Sequence, residues 1–264
     1  MNALLAVFRY EMRKSLTAGR VAWWFVLAAF PVTITLLSRW VQSNEGQISL
    51  ADRNSFWSVL LYVAVPCVCC AMSALLTAGP AIAAELEQRS WIYLATRPHG
   101  IAWLLLGKFL VATAWAFTAA VAATSLSVLF VNAPAPYTIW LGILKLAALA
   151  APAYSATYLL LGAIFPKRSM VFCVMYTAGV EVLLGSFPAI INRITVQYRL
   201  RSLLTSWLPL SDELRNSTAL QYTVGNNSPA SHILWLASIT IGFILLAILM
   251  TRLRQFTTAT ESDL

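Results

Sequence analysis

Charge is scarce in this chain. Asp, Glu, Lys and Arg make up 11% of its 264 residues, under half of the roughly 25% of a soluble domain. With 59% apolar residues and a mean hydropathy of +0.74, a water-soluble globular fold is excluded. Histidine is scarcer still, at two residues, His99 and His232. The chain holds neither H-E-x-x-H nor G-x-S-x-G, which removes the usual zinc-hydrolase and serine-hydrolase constellations. Gly107-Lys108 is not a phosphate-binding loop. Gly100 lies too far upstream, and Phe109 stands where a Mg²⁺-binding hydroxyl is required. The four cysteines, Cys67, Cys69, Cys70 and Cys173, all sit within apolar runs and lack metal-ligand spacing, so they read as packing residues. The chain is therefore read as a non-enzyme, with no catalytic, cofactor-binding or metal-binding residue of its own.

Long apolar runs are what the chain does have. A helix needs about 20 apolar residues to cross the hydrocarbon core. Six segments qualify, at about 21–40, 56–82, 101–131, 138–165, 170–190 and 233–251. The expected fold is one all-α polytopic transmembrane domain over 1–264, with an N-terminal amphipathic helix, six transmembrane helices and an outer helical segment at 191–232 before the last span. Pro31, Pro66, Pro80 and Pro152 are expected kink points. The +8 net charge needs no nucleic-acid partner, because cytoplasmic loops are enriched in Lys and Arg. With the N-terminus inside, eleven basic residues fall on the inner side (Arg9, Arg13, Lys14 and Arg20 among them) and six on the outer. Both termini are expected in the cytosol. The late start of the first run and the absence of a small-residue site after it argue against a cleaved signal.

Three features stand out against this background. Residues 3–18 form the N-terminal helix, with Leu4, Leu5, Phe8, Met12 and Leu16 on one arc and Arg9, Arg13 and Lys14 on another. It reads as an interfacial helix in the inner headgroup region or as an ordinary basic flank. Residues 85–98 place Glu85, Glu87, Arg89, Trp91, Tyr93, Leu94 and Arg97 between the second and third runs. Aromatics and Arg of this kind suit a protein interface; an interfacial aromatic belt accounts for the Trp and Tyr alone. Lys145 and Glu181 lie within spans. Intramembrane charges are functional candidates by default, and similar expected depths allow these two to pair.

Three stretches together resemble the membrane subunits of type-2 ABC transporters. They are VFRYEMRKSLTAGRVAWW, ELEQRSWIYLATRPHGIAWLLLGKFL and YTAGVEVLLGSFPAIINRITVQYRL. The first is similar to the family's interfacial connecting helix. The second is similar to its coupling segment, with acids, a Tyr-Leu, a Pro and a Gly-Lys entering the next span. The third is similar to a Glu in the fifth span followed by Pro and a polar-aromatic outer segment, although Val180 stands where an aromatic is expected. The resemblance implies a permease subunit in the plasma (inner) membrane that exports or flips a substrate. It implies a partner ATP-binding subunit carrying the ATP and Mg, a second permease copy or paralogue, and contact with membrane lipid. Residues 85–98 would be the coupling helix pushed by that ATPase. The competing expectation is a secondary transporter or channel that uses Lys145 and Glu181 without an ATPase. Such proteins commonly carry inverted repeats, and no internal repeat is visible here.

Overall fold

The computed structural model describes residues 3–44, 50–87, 99–185, 195–217, 224 and 227–253. Every described element is helical. In chain order they are α1 (Ala3–Ser15), α2 (Ala18–Asn44), α3 (Leu50–Tyr62), a π-helical stretch (Val63–Cys70), α4 (Ala71–Ala78), α5 (Ala81–Glu87), α6 (Gly100–Val128) and α7 (Pro136–Ile164). A short 3-10 turn (Pro166–Arg168) leads into α8 (Ser169–Tyr176), which continues as a π-helical stretch (Thr177–Leu184). Then come α9 (Val196–Trp207), α10 (Asp212–Arg215) and α11 (Pro229–Leu253).

Five of the described helical segments are long and apolar enough to cross a membrane: Ala18–Gln42, Asp52–Glu87, Gly100–Val128, Pro136–Ile164 and Pro229–Leu253. They match five of the six expected runs. The remaining run, 170–190, is helical from 169 through 185, and 186–194 lie outside the described residues. The chain is an all-α membrane protein. The bundle has a centre and a periphery. About 72% of the most apolar window of α7 is buried within the protein, but only 17% of those of α2 and α11.

Small residues explain why α6 and α7 occupy the centre. Lipid tails are as apolar as Leu, so helices in a bilayer associate by close packing more than by hydrophobic exclusion. Ala112, Ala116, Ala119, Ala120 and Ala123 form a fully buried stripe on α6. Ala147, Ala150 and Ala151 do the same on α7. At Gly162 of α7 an added Cβ would stand 2.6 Å from the carbonyl oxygen of Gly79. That atom is backbone and cannot rotate away. Gly162→Val is expected to destabilise the protein by the upper part of the ~1–3 kcal/mol range for overpacking, read as a lower melting temperature in detergent. Gly242→Ala, where nothing lies within 4 Å, is the control and should be neutral.

The prolines divide. Pro31 and Pro152 lie inside continuous helices. Pro66 sits in the π-helical stretch, and Pro80 falls in the turn between α4 and α5. A proline lacks the N–H of the ordinary i→i−4 bond, and a wider π turn is one way to accommodate that loss. The cysteines are free thiols; Cys69, Cys70 and Cys173 are buried in the core and Cys67 is half-buried.

Two ends of the bundle can be told apart. At the first, α1 lies against the start of α6, with Val7 filling the space above Gly107. At the far end, Ser211 donates its N–H to Ser55 Oγ at 2.6 Å, and Ala135 donates to Asn54 Oδ1 at 3.4 Å. There α9 folds back onto the bundle. Its Leu200, Leu203 and Leu204 are buried, and Leu208 just beyond it meets Gly142 of α7. Residues 203–208 thus pack on protein through Leu203, Leu204 and Leu208.

Candidate functional site

Polar groups in an apolar bundle are costly unless paired, so the buried ones locate the sites. The most concentrated set lies where α1, α5 and α6 meet. Glu85 of α5 is 3% exposed. Its Oε1 accepts from Lys14 Nζ of α1 at 2.9 Å and from Lys108 Nζ of α6 at 2.9 Å. Lys108 also reaches Glu11 Oε2 of α1 at 3.1 Å. Two acids and two lysines balance, and three helices separated in sequence are tied through one carboxylate. A second bond reinforces the α1–α6 contact: Trp115 Nε1 donates to Ser15 Oγ at 2.8 Å, and Ser15 Oγ donates to the Met12 carbonyl at 2.7 Å. The group borders a cavity of about 440 Å³, onto which Thr17, Arg20 and Thr77 also open.

The local sequence accounts for this arrangement. Glu11 and Ser15 are four residues apart, hence on one face of α1, and both are buried. Gly107 has no side chain to hold α1 away, and Lys108 follows it directly, so the residue that reaches Glu11 stands beside the place where Val7 packs on Gly107. Burial works against the charge on Lys14, but hydrogen bonding and attraction from Glu85, with Glu11 adding to them, outweigh it and raise its pKa above 10.5. Its contribution is complete below that value and is lost only as pH rises through the higher folded-state value.

A second polar site lies toward the far end. Glu181, 1% exposed, sits in the π-helical stretch after α8. Its Oε1 accepts from Tyr176 OH at 2.7 Å and from the Val196 N–H at 3.2 Å, and its Oε2 accepts from the Gln197 N–H at 3.0 Å. Thr195 Oγ1 accepts from the Tyr198 N–H at 3.2 Å. The first N–H groups of a helix have no intrahelical partner and carry the positive end of its dipole. Glu181 and Thr195 together satisfy three of them and fix α9 to the bundle. Arg199 of α9 holds the other side. Its guanidinium lies 4.3 Å from the Trp235 ring, and its Nη1 is 3.2 Å from His232 Nδ1, both residues being on α11. A guanidinium can only donate, so His232 Nδ1 is the acceptor.

The expected site residues fare differently. Lys145 is exposed, with its Nζ 5.8 Å from the centre of the Trp207 ring. Among the described ion pairs it makes none with Glu181, which is occupied by a tyrosine and backbone N–H groups. The expected pairing of the two is corrected accordingly: the geometry sends one outward and the other inward to a helix terminus. In the 85–98 segment, Glu85 is turned into the charge network and away from the surface, while Glu87 is exposed. Arg89, Trp91, Tyr93, Leu94 and Arg97 lie outside the described residues. At the segment's end His99 takes a left-handed conformation (φ 62°), which turns the chain into α6; His tolerates that region better than most residues. Sequence reasoning missed the network's other members, Glu11, Lys14 and Lys108. Glu11, as an acid in an otherwise basic flank, was the available signal.

Fold and site define an all-helical polytopic membrane protein with a charge-tied junction at one end and a capped, inward-packed helix at the other. No protein-family model and no curated protein matches the chain.

Proposed function

We propose that this chain is the permease subunit of an ATP-driven ABC transporter of the type-2 exporter kind. In this reading 170–190 forms a sixth span, both termini are cytosolic, and α1 is the interfacial connecting helix. Residues 85–98 are the coupling helix. A separate ATP-binding subunit, carrying ATP and Mg, docks there, and a second permease copy or paralogue completes the pathway in the plasma membrane. The observation that carries the reading is the Glu85 junction. A force applied to 88–98 enters the protein through α5, and Glu85 ties α5 to both α1 and α6 by 2.9 Å ion pairs. That is the connection a coupling segment requires. The rival reading, a secondary transporter or channel built on Lys145 and Glu181, draws no support from two residues that face different ways.

Co-purification tests the proposal. The tagged chain, extracted from its host in mild detergent, should bring an ATPase with it. Glu87→Arg or Trp91→Ala should lower that yield several-fold while the permease stays inserted; unchanged yield and unchanged ATPase stimulation for both would overturn the coupling assignment. Orientation is checked on a cysteine-free background. A cysteine at Ser262 should resist a membrane-impermeant maleimide in intact cells and one at Asn226 should react; the reverse pattern removes the cytosolic placement of 85–98.

A further inference from the structure

Three cations line the cavity of about 440 Å³ at the α1–α5–α6 junction. Lys14 and Lys108 are paired with acids; Arg20, partly buried, is not. Its backbone N–H donates to Thr17 Oγ1 at 3.4 Å, but its guanidinium makes no hydrogen bond or ion pair among the described residues. Lys108, 9% exposed, has a further donor to spare. An ammonium carries three N–H groups. Two meet Glu11 and Glu85, and the third has no partner among the described residues. The two acids on the lining are each held by a lysine, so the cavity keeps the positive charge of Arg20, and the hydroxyls of Thr17 and Thr77 open beside it. Residues 88–98, which follow α5, carry Arg89 and Arg97 and no Asp or Glu. Depth adds a second constraint. Arg20 stands two residues into the span Ala18–Gln42, about 3 Å from its start at helical rise. The 25 residues of that span cover ~38 Å, more than the ~30 Å hydrocarbon core, so Arg20 falls at headgroup level. Leu16 before it and Trp23 after it are 60% and 56% exposed, which leaves apolar surface beside the charge.

We propose that this cavity binds the phosphate of an anionic phospholipid from the adjoining leaflet, held by Arg20 and Lys108, with its chains along the exposed face of α2 beyond Trp23. A guanidinium presents paired donors that match phosphate oxygens, and basic pockets between membrane helices suit anionic head groups. A lipid of one net negative charge cancels the positive charge of Arg20. A zwitterionic lipid brings its own cation and leaves that charge standing. Free phosphate makes the same polar contacts but covers neither Leu16 nor Trp23. The inference rests on α2 being a membrane span and is independent of any ATP-binding partner, so its failure leaves the permease reading standing.

The test is native mass spectrometry of the full chain in mild detergent, with phosphatidylglycerol, phosphatidylcholine and inorganic phosphate as probes. Phosphatidylglycerol should be retained at least about fivefold more than phosphatidylcholine, and an excess of inorganic phosphate should not displace it. Arg20→Gln should abolish that preference, and Arg20→Lys should keep part of it. Arg13→Gln removes an exposed cation that does not line the cavity and should leave the preference unchanged. An unaltered melting temperature confirms that each variant is folded. Equal retention of the two lipids, a preference that survives Arg20→Gln, or an equal loss in Arg13→Gln would mean diffuse attraction to a basic surface and overturn the proposal. Displacement by inorganic phosphate would mean a free-anion site and overturn the lipid assignment. A several-fold rise in retention on combining Glu261→Gln with Asp263→Asn would mean that the chain's own acidic tail is the occupant, and would overturn it too.

Discussion

Lys108→Met should be the most damaging single substitution in the protein. The ammonium it removes lies between Glu85 at 2.9 Å and Glu11 at 3.1 Å, with the side chains of Lys108 and Glu85 only 9% and 3% exposed. Breaking a buried pair from one side strands the partner charge and costs about 3–5 kcal/mol. Here Glu11 loses its ion pair with Lys108, while Glu85 keeps the one with Lys14, so a loss within that range is expected, read as a loss of thermal stability in detergent. Lys14→Met should cost about 1 kcal/mol or less, because that side chain is 32% exposed and solvent screens it. The combination Glu11→Gln, Glu85→Gln and Lys108→Met should regain most of the stability, since neutral groups of similar shape remove the stranded charges together. Full stability in Lys108→Met alone would mean that the cavity at this junction is wet enough to solvate both acids. If the coupling proposal holds, the triple variant should recover stability without recovering stimulation of the ATPase.

Glu181→Ala should come next, at roughly 3 kcal/mol. It removes the acceptor for the Val196 and Gln197 N–H groups and for Tyr176 OH, and a buried donor left unsatisfied costs about 1–3 kcal/mol. Glu181→Gln should cost less, because one acceptor oxygen remains. The loss should appear first as protease access near 195–207, where α9 is released, ahead of global unfolding. In a double-mutant cycle with Lys145→Met the losses should add within about 0.5 kcal/mol, as expected for residues that do not touch. A larger coupling would mean that Lys145 reaches the carboxylate in the state the protein adopts in a bilayer.

Much of the architecture was legible from composition and run length. Five spans fall within a few residues of where the apolar runs place them, because the bilayer itself sets the length a helix must have. The buried alanine and glycine packing of α6 and α7 was visible as a compositional bias toward small residues. The helix at residues 3–15 was visible in its periodicity, but not the way it faces. Its apolar arc was expected in the inner headgroup region; Leu5 and Leu16 of that arc are exposed, and the helix meets protein through Glu11 and Ser15 instead. Periodicity reports that a helix has two faces; which one meets protein depends on what the neighbour offers, and here α6 offers Lys108 and Trp115.

The sequence by itself determined that this is a helical membrane protein, where most of its spans lie, and that its acids are too few to be incidental. Only the tertiary structure decided what those acids do. Glu85, Glu11 and Lys108 are separated by up to 97 residues, and Glu181 meets the start of a helix 15 residues further on. Charge pairing in a low-dielectric interior is set by distances of a few ångströms, and no local pattern encodes those distances. They follow from how closely the helices approach, which at this junction rests on Gly107 having no side chain to keep α1 away.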